Sequence, residues 1–305
     1  MASHSPLRIA VILGALLIFL LTVVINALSS SVGQQIGLFL NNTGDISAVF
    51  ETAVTPAGWT FSIWGAIYTW QALFFIYALS TLCRKKAGTY LYLSVDYVPP
   101  IMFIFYSVSN CCNIVWLFLW DRQYIIAALA LIALIPFFLY LVLFVSFGRL
   151  VRCIPEMVKA GLSRDVWLTR FLVQNAVAMY ATWVTIATLL NFTMVLQYRA
   201  DLEGSTAAII SLSIVSVEVL LWSVLDNTVL DKYTRYTFSP YIVIIVAFAG
   251  IMSKHFDTET ALATSAFTAT LLSVAILLSI IKVCVMVYRH IHRPITPPPA
   301  TYSNF

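Results

Sequence analysis

Charge is what this sequence has least of. Asp, Glu, Lys and Arg together make up 10% of its 305 residues, while apolar types make up 61%, against about 25% and about 45–50% in soluble domains. With a mean hydropathy of +0.93, a water-soluble globule is excluded. The short segments of alternating polarity that mark a β-barrel are also missing; the apolar runs are continuous and about 20 residues long. Histidine is scarce, and His4, His255, His290 and His292 all fall at or beyond the ends of these runs, which excludes histidine ligation of a metal or haem inside a bundle. The five cysteines (Cys83, Cys111, Cys112, Cys153 and Cys284) avoid the outer loops where a disulfide would persist, so no disulfide framework is implied. Cys83 and Cys284, at helix ends on the basic side, suit reversible acylation, although an idle thiol is the simpler reading. No nucleophile–base pair, Walker loop or metal-ligand spacing is visible, so no enzyme is expected and no cofactor is required. The net charge of +4 does not imply nucleic acid, because the bilayer accounts for where the basic residues stand.

What is there reads as an all-α polytopic membrane bundle. Apolar runs and their charged or Pro/Gly borders predict eight crossings: Leu7 to Leu28, Trp59 to Leu82, Val98 to Trp120, Tyr124 to Phe147, Trp167 to Leu196, Thr206 to Leu225, Phe238 to Met252 and Thr260 to Tyr288. Seven is the alternative count, since the seventh run is barely long enough to span. Of the 17 basic residues only Arg122, Arg199 and Lys254 fall on the far side of this path, so the positive-inside rule puts both termini in the cytosol. The first run reads as a retained anchor rather than a cleaved signal, because it is long and lacks a small-x-small site before Ser29. The outer segment from Ser29 to Thr55 carries a glycosylation sequon at Asn41-Asn42-Thr43; a second, at Asn191, sits at a helix end and reads as structural. After Arg293 a proline-rich tail is expected to be unfolded. Its terminal Ser303-Asn304-Phe305 has the form that adds a strand to a peptide-binding domain of a cytosolic partner.

Polar residues inside hydrocarbon are costly and so mark faces that meet partners or a cavity. In the fifth run Tyr180, Trp183, Ala187 and Asn191 recur at helical spacing. The third repeats the pattern with Asn110, Asn113, Trp116 and Trp120, and the second with Trp59, Phe61, Trp64, Tyr68 and Gln71. The bland reading is that these groups glue helices together or mark the interfacial belt. The depth of Trp64, Trp116 and Trp183 favours a shared pocket.

Three segments also carry a family resemblance. Thr55-Pro56-Ala57-Gly58-Trp59-Thr60-Phe61-Ser62-Ile63-Trp64-Gly65-Ala66-Ile67-Tyr68 resembles the Pro/Trp-rich start of the second helix in the translocator protein/tryptophan-rich sensory protein (TspO/MBR) family. Asn113-Ile114-Val115-Trp116-Leu117-Phe118 is similar to that family's third-helix motif, and the Tyr180, Trp183, Ala187, Leu190, Asn191 series to its fifth-helix signature. Thr43 to Ser47 resembles the long-form members. The resemblance covers about residues 1–198, and three further helices over 199–293 and a tail over 294–305 complete the chain. The departures are these extra helices and a Phe61-to-Trp64 interval one residue shorter than in compact members. The resemblance implies an aromatic pocket for a tetrapyrrole or sterol-like lipid, with Trp64, Tyr68, Trp116, Tyr180 and Trp183 against the ligand and Asn113 and Asn191 orienting its polar edge. A receptor or carrier follows, and a homo-oligomer is compatible with it.

One acid, Glu218, falls well inside an apolar run. It is expected to be buried among helices, protonated and bonded to a group such as Asn175 or Thr182, as a ligand anchor or as the coupling group of a proton-driven carrier. Asp226, Asn227, Asp231, Lys232 and Arg235 read as a solvated inner loop.

Overall fold

The computed structural model describes residues 4–257, 259 and 261–295. Among these residues the architecture consists of eight long helices: α1 Pro6–Leu28, α2 Ile63–Cys83, α3 Pro100–Asp121, α4 Ile125–Lys159, α5 Asn175–Arg199, α6 Gly204–Asn227, α7 Ser239–His255 and α8 Leu262–His292. A 3-10 turn, Gly58–Ser62, leads into α2; an α-turn, Ser163–Leu168, and a π-helical stretch, Thr169–Gln174, lead into α5. With these leads, every helix except α7 is long and apolar enough to cross a membrane. At 17 residues, α7 covers about 25 Å, the short limit for a span. The tail expected to be unfolded and to offer Ser303-Asn304-Phe305 to a cytosolic partner lies, over residues 296–305, outside the described residues, whereas the sequon residue Asn41 lies within them.

Within the bundle α3 packs on α1 and α4, α4 on α5, and α6 and α7 both dock along α5 and against α8. Proline punctuates the starts: Pro6, Pro100 and Pro240 stand in first turns, where a missing N–H costs no helical hydrogen bond. Pro136 and Pro155 lie inside α4, which nonetheless runs for 35 residues. Hydropathy ends this helix at Phe147; the structure carries it on through Arg149, Arg152 and Lys159, because charge ends an apolar run without ending a helix. Beyond α2 the chain forms a small antiparallel hairpin, with Lys85 opposite Tyr90 and Lys86 opposite Thr89. Its two-residue turn has Ala87 and Gly88 at positive φ, the primed geometry that matches strand twist.

The segment between α1 and α2 folds back over the bundle end. It contains two short helices, Ser31–Gln35 and Thr43–Val49, and the first turn leaves no room for a side chain at Gly33, where a Cβ would run into the Leu28 carbonyl oxygen. Asn42 caps the second helix by accepting from the Asp45 N–H at 2.9 Å. Buried Asp121, at the end of α3, ties the segment down by accepting from the backbone N–H groups of Leu40 and Asn41 at 2.9 and 2.7 Å. The Asn41 side chain, the predicted glycan acceptor, donates its amide to the Asp121 carbonyl at 3.1 Å.

The opposite end corrects two expectations. Glu218 is exposed on the outer face of the bundle rather than buried among helices. The partners expected for it are engaged elsewhere. Asn175 donates to the Tyr236 carbonyl and accepts from the N–H groups of Phe238 and Ser239, so it caps α7. Thr182 donates to the Ala178 carbonyl of its own helix. The buried acid is Asp226, expected in a solvated loop and instead wholly enclosed. Its carboxylate pairs with Lys282 of α8 at 2.7 Å and accepts from the Tyr241 hydroxyl at 2.7 Å. Lys282 also donates to the Thr234 carbonyl at 3.2 Å, so both ions of the pair have the extra hydrogen bonds that offset their desolvation. Nearby, Asp231 pairs with Arg235 and, at 2.7 Å, with Arg289. Arg235 also donates to the Arg293 carbonyl at 2.6 Å, closing the end of α8.

Candidate functional site

Toward the end covered by the α1–α2 segment, α1 through α5 enclose a cavity of about 620 Å³. The 3-10 turn before α2 delivers Phe61, and α2 itself delivers Trp64 and Tyr68 one turn apart. Trp64 and Tyr68 stack with ring centroids 5.4 Å apart, and both Phe61 and Trp64 stand edge-on to Trp183 at 6.3 Å. From α3 come Asn113, Trp116 and Trp120, the two indoles stacked at 5.4 Å. From α5 come Trp183, Ala187 and Asn191. Ile132 and Ile135 of α4 close the remaining side, and Thr43, Gly44 and Ser47 of the covering segment form the roof. The Trp120 indole donates to the Thr43 carbonyl at 3.3 Å, which fixes roof to wall.

Six of the seven residues expected to contact a ligand therefore line one cavity: Trp64, Tyr68, Asn113, Trp116, Trp183 and Asn191. Tyr180 does not. It is buried one turn along α5 from Trp183 and packs edge-on against Trp64 at 5.8 Å, so it backs the wall. Glu218 is outside the site altogether.

The hydrogen bonding of the lining is incomplete. The Tyr68 hydroxyl, the Trp116 and Trp183 indole N–H groups and the Asn191 carbonyl oxygen are buried and have no hydrogen-bond partner. Such atoms are uncommon in folded interiors, and each costs about 1–3 kcal/mol when left unpaired. Asn113, by contrast, is engaged, since its carbonyl oxygen accepts from the Asn26 amide at 2.7 Å. Asn191 spends its own amide on the Ala187 carbonyl at 2.9 Å, so its oxygen alone is left unused.

Two contributors escape a reading by helix faces. Asn26 is the sole amide in the first apolar run, a signal that its isolation alone could have raised. Lys254 comes from α7, and no Asp or Glu accompanies it among the described lining residues. It reaches the cavity because the segment before α2 is stitched to the end of α7. Ala57 N–H donates to the Gly250 carbonyl at 3.0 Å, the Trp59 indole to Ser253 Oγ at 3.0 Å, and His255 Nε2 lies 2.8 Å from the Thr55 carbonyl. Gly250 permits this approach, since a Cβ there would run into Thr60. Lys254 itself pairs with Glu51 at 2.8 Å, and the hydrogen bond from Lys254 holds the Glu51 carboxyl below its usual value.

The fold and the cavity define a multi-pass helical membrane protein with an aromatic internal chamber. The chain belongs to the TSPO-like protein family, whose model matches residues 11–283. The match runs past residue 198, where the motif resemblance ends, and so takes in α6, α7 and most of α8. Comparison with curated proteins and with solved structures gives no match.

Proposed function

We propose that this protein binds an apolar planar ligand, a tetrapyrrole or a sterol-like lipid, in the α1–α5 cavity and acts as its receptor or carrier. The observation that carries this reading is the set of unpartnered polar atoms on Tyr68, Trp116, Trp183 and Asn191, spaced around an otherwise apolar chamber. A ligand supplying partners to them would regain hydrogen bonds that the protein alone forgoes. The volume falls in the range of about 300–1,000 Å³ for small-molecule sites. Trp64, Trp116 and Trp183 offer ring faces and edges for stacking. Family membership supports the same reading, and the distribution of basic residues supports cytosolic termini. A proton-coupled carrier working through Glu218 gains nothing from the arrangement, because that carboxyl stands outside the cavity on an exposed face.

The test is a titration of the purified protein with protoporphyrin, followed by quenching of tryptophan fluorescence, with cholesterol as competitor. Saturable quenching that weakens in Trp183→Leu is the expected outcome. Quenching that is linear in porphyrin and indifferent to that substitution would sink the reading.

A further inference from the structure

The donors and acceptors of the cavity are unequal in number, and this constrains what it can hold. An indole N–H only donates, so Trp116 and Trp183 each require an acceptor. Tyr68 can serve either way, and among the buried unpartnered atoms of the lining Asn191 supplies the one pure acceptor. At the mouth Lys254 adds a cationic donor, unaccompanied by any acid among the described lining residues. Its partner, Glu51, belongs to the covering segment and lies beside the cavity rather than in its wall. Lys254 and Glu51 are 32% and 45% exposed, so their pair is screened by solvent and is cheap to exchange. Glu51 is charged at neutral pH, since the Lys254 hydrogen bond lowers its pKa. A carboxylate arriving from the cavity side would meet the same ammonium group from the opposite direction.

Resting on the binding reading above, we propose that Lys254 is a specificity-determining residue and that the ligand is an acceptor-bearing anion: an apolar planar body with a carboxylate on one edge. The indoles of Trp116 and Trp183 take acceptors on the body, and Lys254 takes the carboxylate, displacing Glu51. A sterol with a lone hydroxyl satisfies one end of this arrangement and leaves the others unpaired. The residue that selects for charge comes from α7, outside the five helices that build the rest of the wall.

Full-length protein in nanodiscs is titrated with protoporphyrin, a dicarboxylic acid, and separately with its dimethyl ester, which keeps the ring and the carbonyl acceptors but loses the charge. The wild type is expected to favour the diacid by about tenfold, the scale of one charge-assisted contact at a partly exposed site. Lys254→Gln should bring the diacid down to the level of the ester, with a thermal melt like that of the wild type reporting that the variant is folded. Lys254→Arg should keep the preference, and Glu51→Gln should strengthen diacid binding severalfold by removing the resident competitor. Equal affinity for the two porphyrins in the wild type, or a preference that survives Lys254→Gln, overturns the role of Lys254 and leaves the binding reading standing. Binding of neither porphyrin ends the binding reading and this inference with it.

Discussion

The two ends of the bundle treat most of their buried polar groups in opposite ways, the unpartnered Trp222 indole N–H of α6 being the exception at the closed end. At the α6–α8 end, Asp226, Lys282 and Tyr241 satisfy one another in the interior, and Asp231, Arg235 and Arg289 do so at its edge. Around the cavity, hydroxyl, indole and amide atoms equally shielded from water are left without partners. A polar network closed on itself specifies how helices fit together and has little capacity for anything else. Open valences in a chamber are a cost to the isolated protein that a ligand can remove. The contrast separates structural polarity from polarity left open, which residue type alone does not do: Asn175 and Asn191 lie on one helix, yet the first caps α7 and the second lines the chamber with its oxygen unpaired.

The comparison can be broken most forcefully at the closed end. Asp226→Ala leaves the Lys282 ammonium buried without its counter-ion, and we expect a loss of about 3–5 kcal/mol, seen as a collapse of folded yield and thermal stability. The double substitution Asp226→Leu with Lys282→Met should recover most of that loss; equal damage from single and double variants would show that the pair is not a closed unit. Next in size is Gly250→Ala, which drives a Cβ into Thr60 and should cost about 1–3 kcal/mol. It should also weaken porphyrin quenching, since the same contact holds the segment carrying Phe61.

At the open end the balance shifts from fold to ligand. Trp183→Leu and Trp116→Phe each remove an unpaired donor, which offsets part of the packing lost with a buried indole, so each should cost less stability than Asp226→Ala, while porphyrin affinity falls about tenfold. Large destabilisation with unchanged binding would erase the distinction between the ends. The smallest effect concerns Asp231. Burial pushes its carboxyl upward, but hydrogen bonds and charge from Arg235 and Arg289 outweigh this and hold it below the ordinary value of 3.8. A depressed value means that the stabilisation is fully present above the unfolded value and is lost as pH falls through the folded one. The melting temperature should therefore be insensitive to this group near neutrality and fall below about pH 4, with that portion flattened in Asp231→Asn.

Much of this was legible in the sequence because a membrane imposes a length and a helix imposes a period. Continuous apolar runs locate the crossings, and the spacing of Trp64, Trp116 and Trp183 brings three helix faces to one chamber. Glu218 shows where such reading stops. A hydropathy window gives depth along the helix but not direction around it. Glu218, Trp222 and Asp226 look like one face at i, i+4 and i+8, yet each step of four overshoots a turn, so the last is rotated about 80° from the first. That rotation carries Asp226 into the bundle and leaves Glu218 outside. Lys254 was hidden for a different reason: its place in the site depends on backbone contacts between Ala57 and Gly250, a long-range pairing with no local signature. Tyr180 was misplaced because a stripe on a helix extends further along the axis than the chamber does.

The stitching of the α1–α2 segment to α7 also sets a schedule for making the protein. Trp59 and Ser253, which bond across that seam, are 194 residues apart in the chain. At about 5–20 residues per second, translation leaves Trp59 waiting on the order of 10–40 s for its partner. In the last part of that interval, once Arg199 has been made, the nascent chain holds five helices around a chamber whose rim lacks α7 and therefore Lys254. Chains halted after α5 during synthesis should expose this rim to membrane chaperones and quality-control proteases, and release from them should coincide with the arrival of α7.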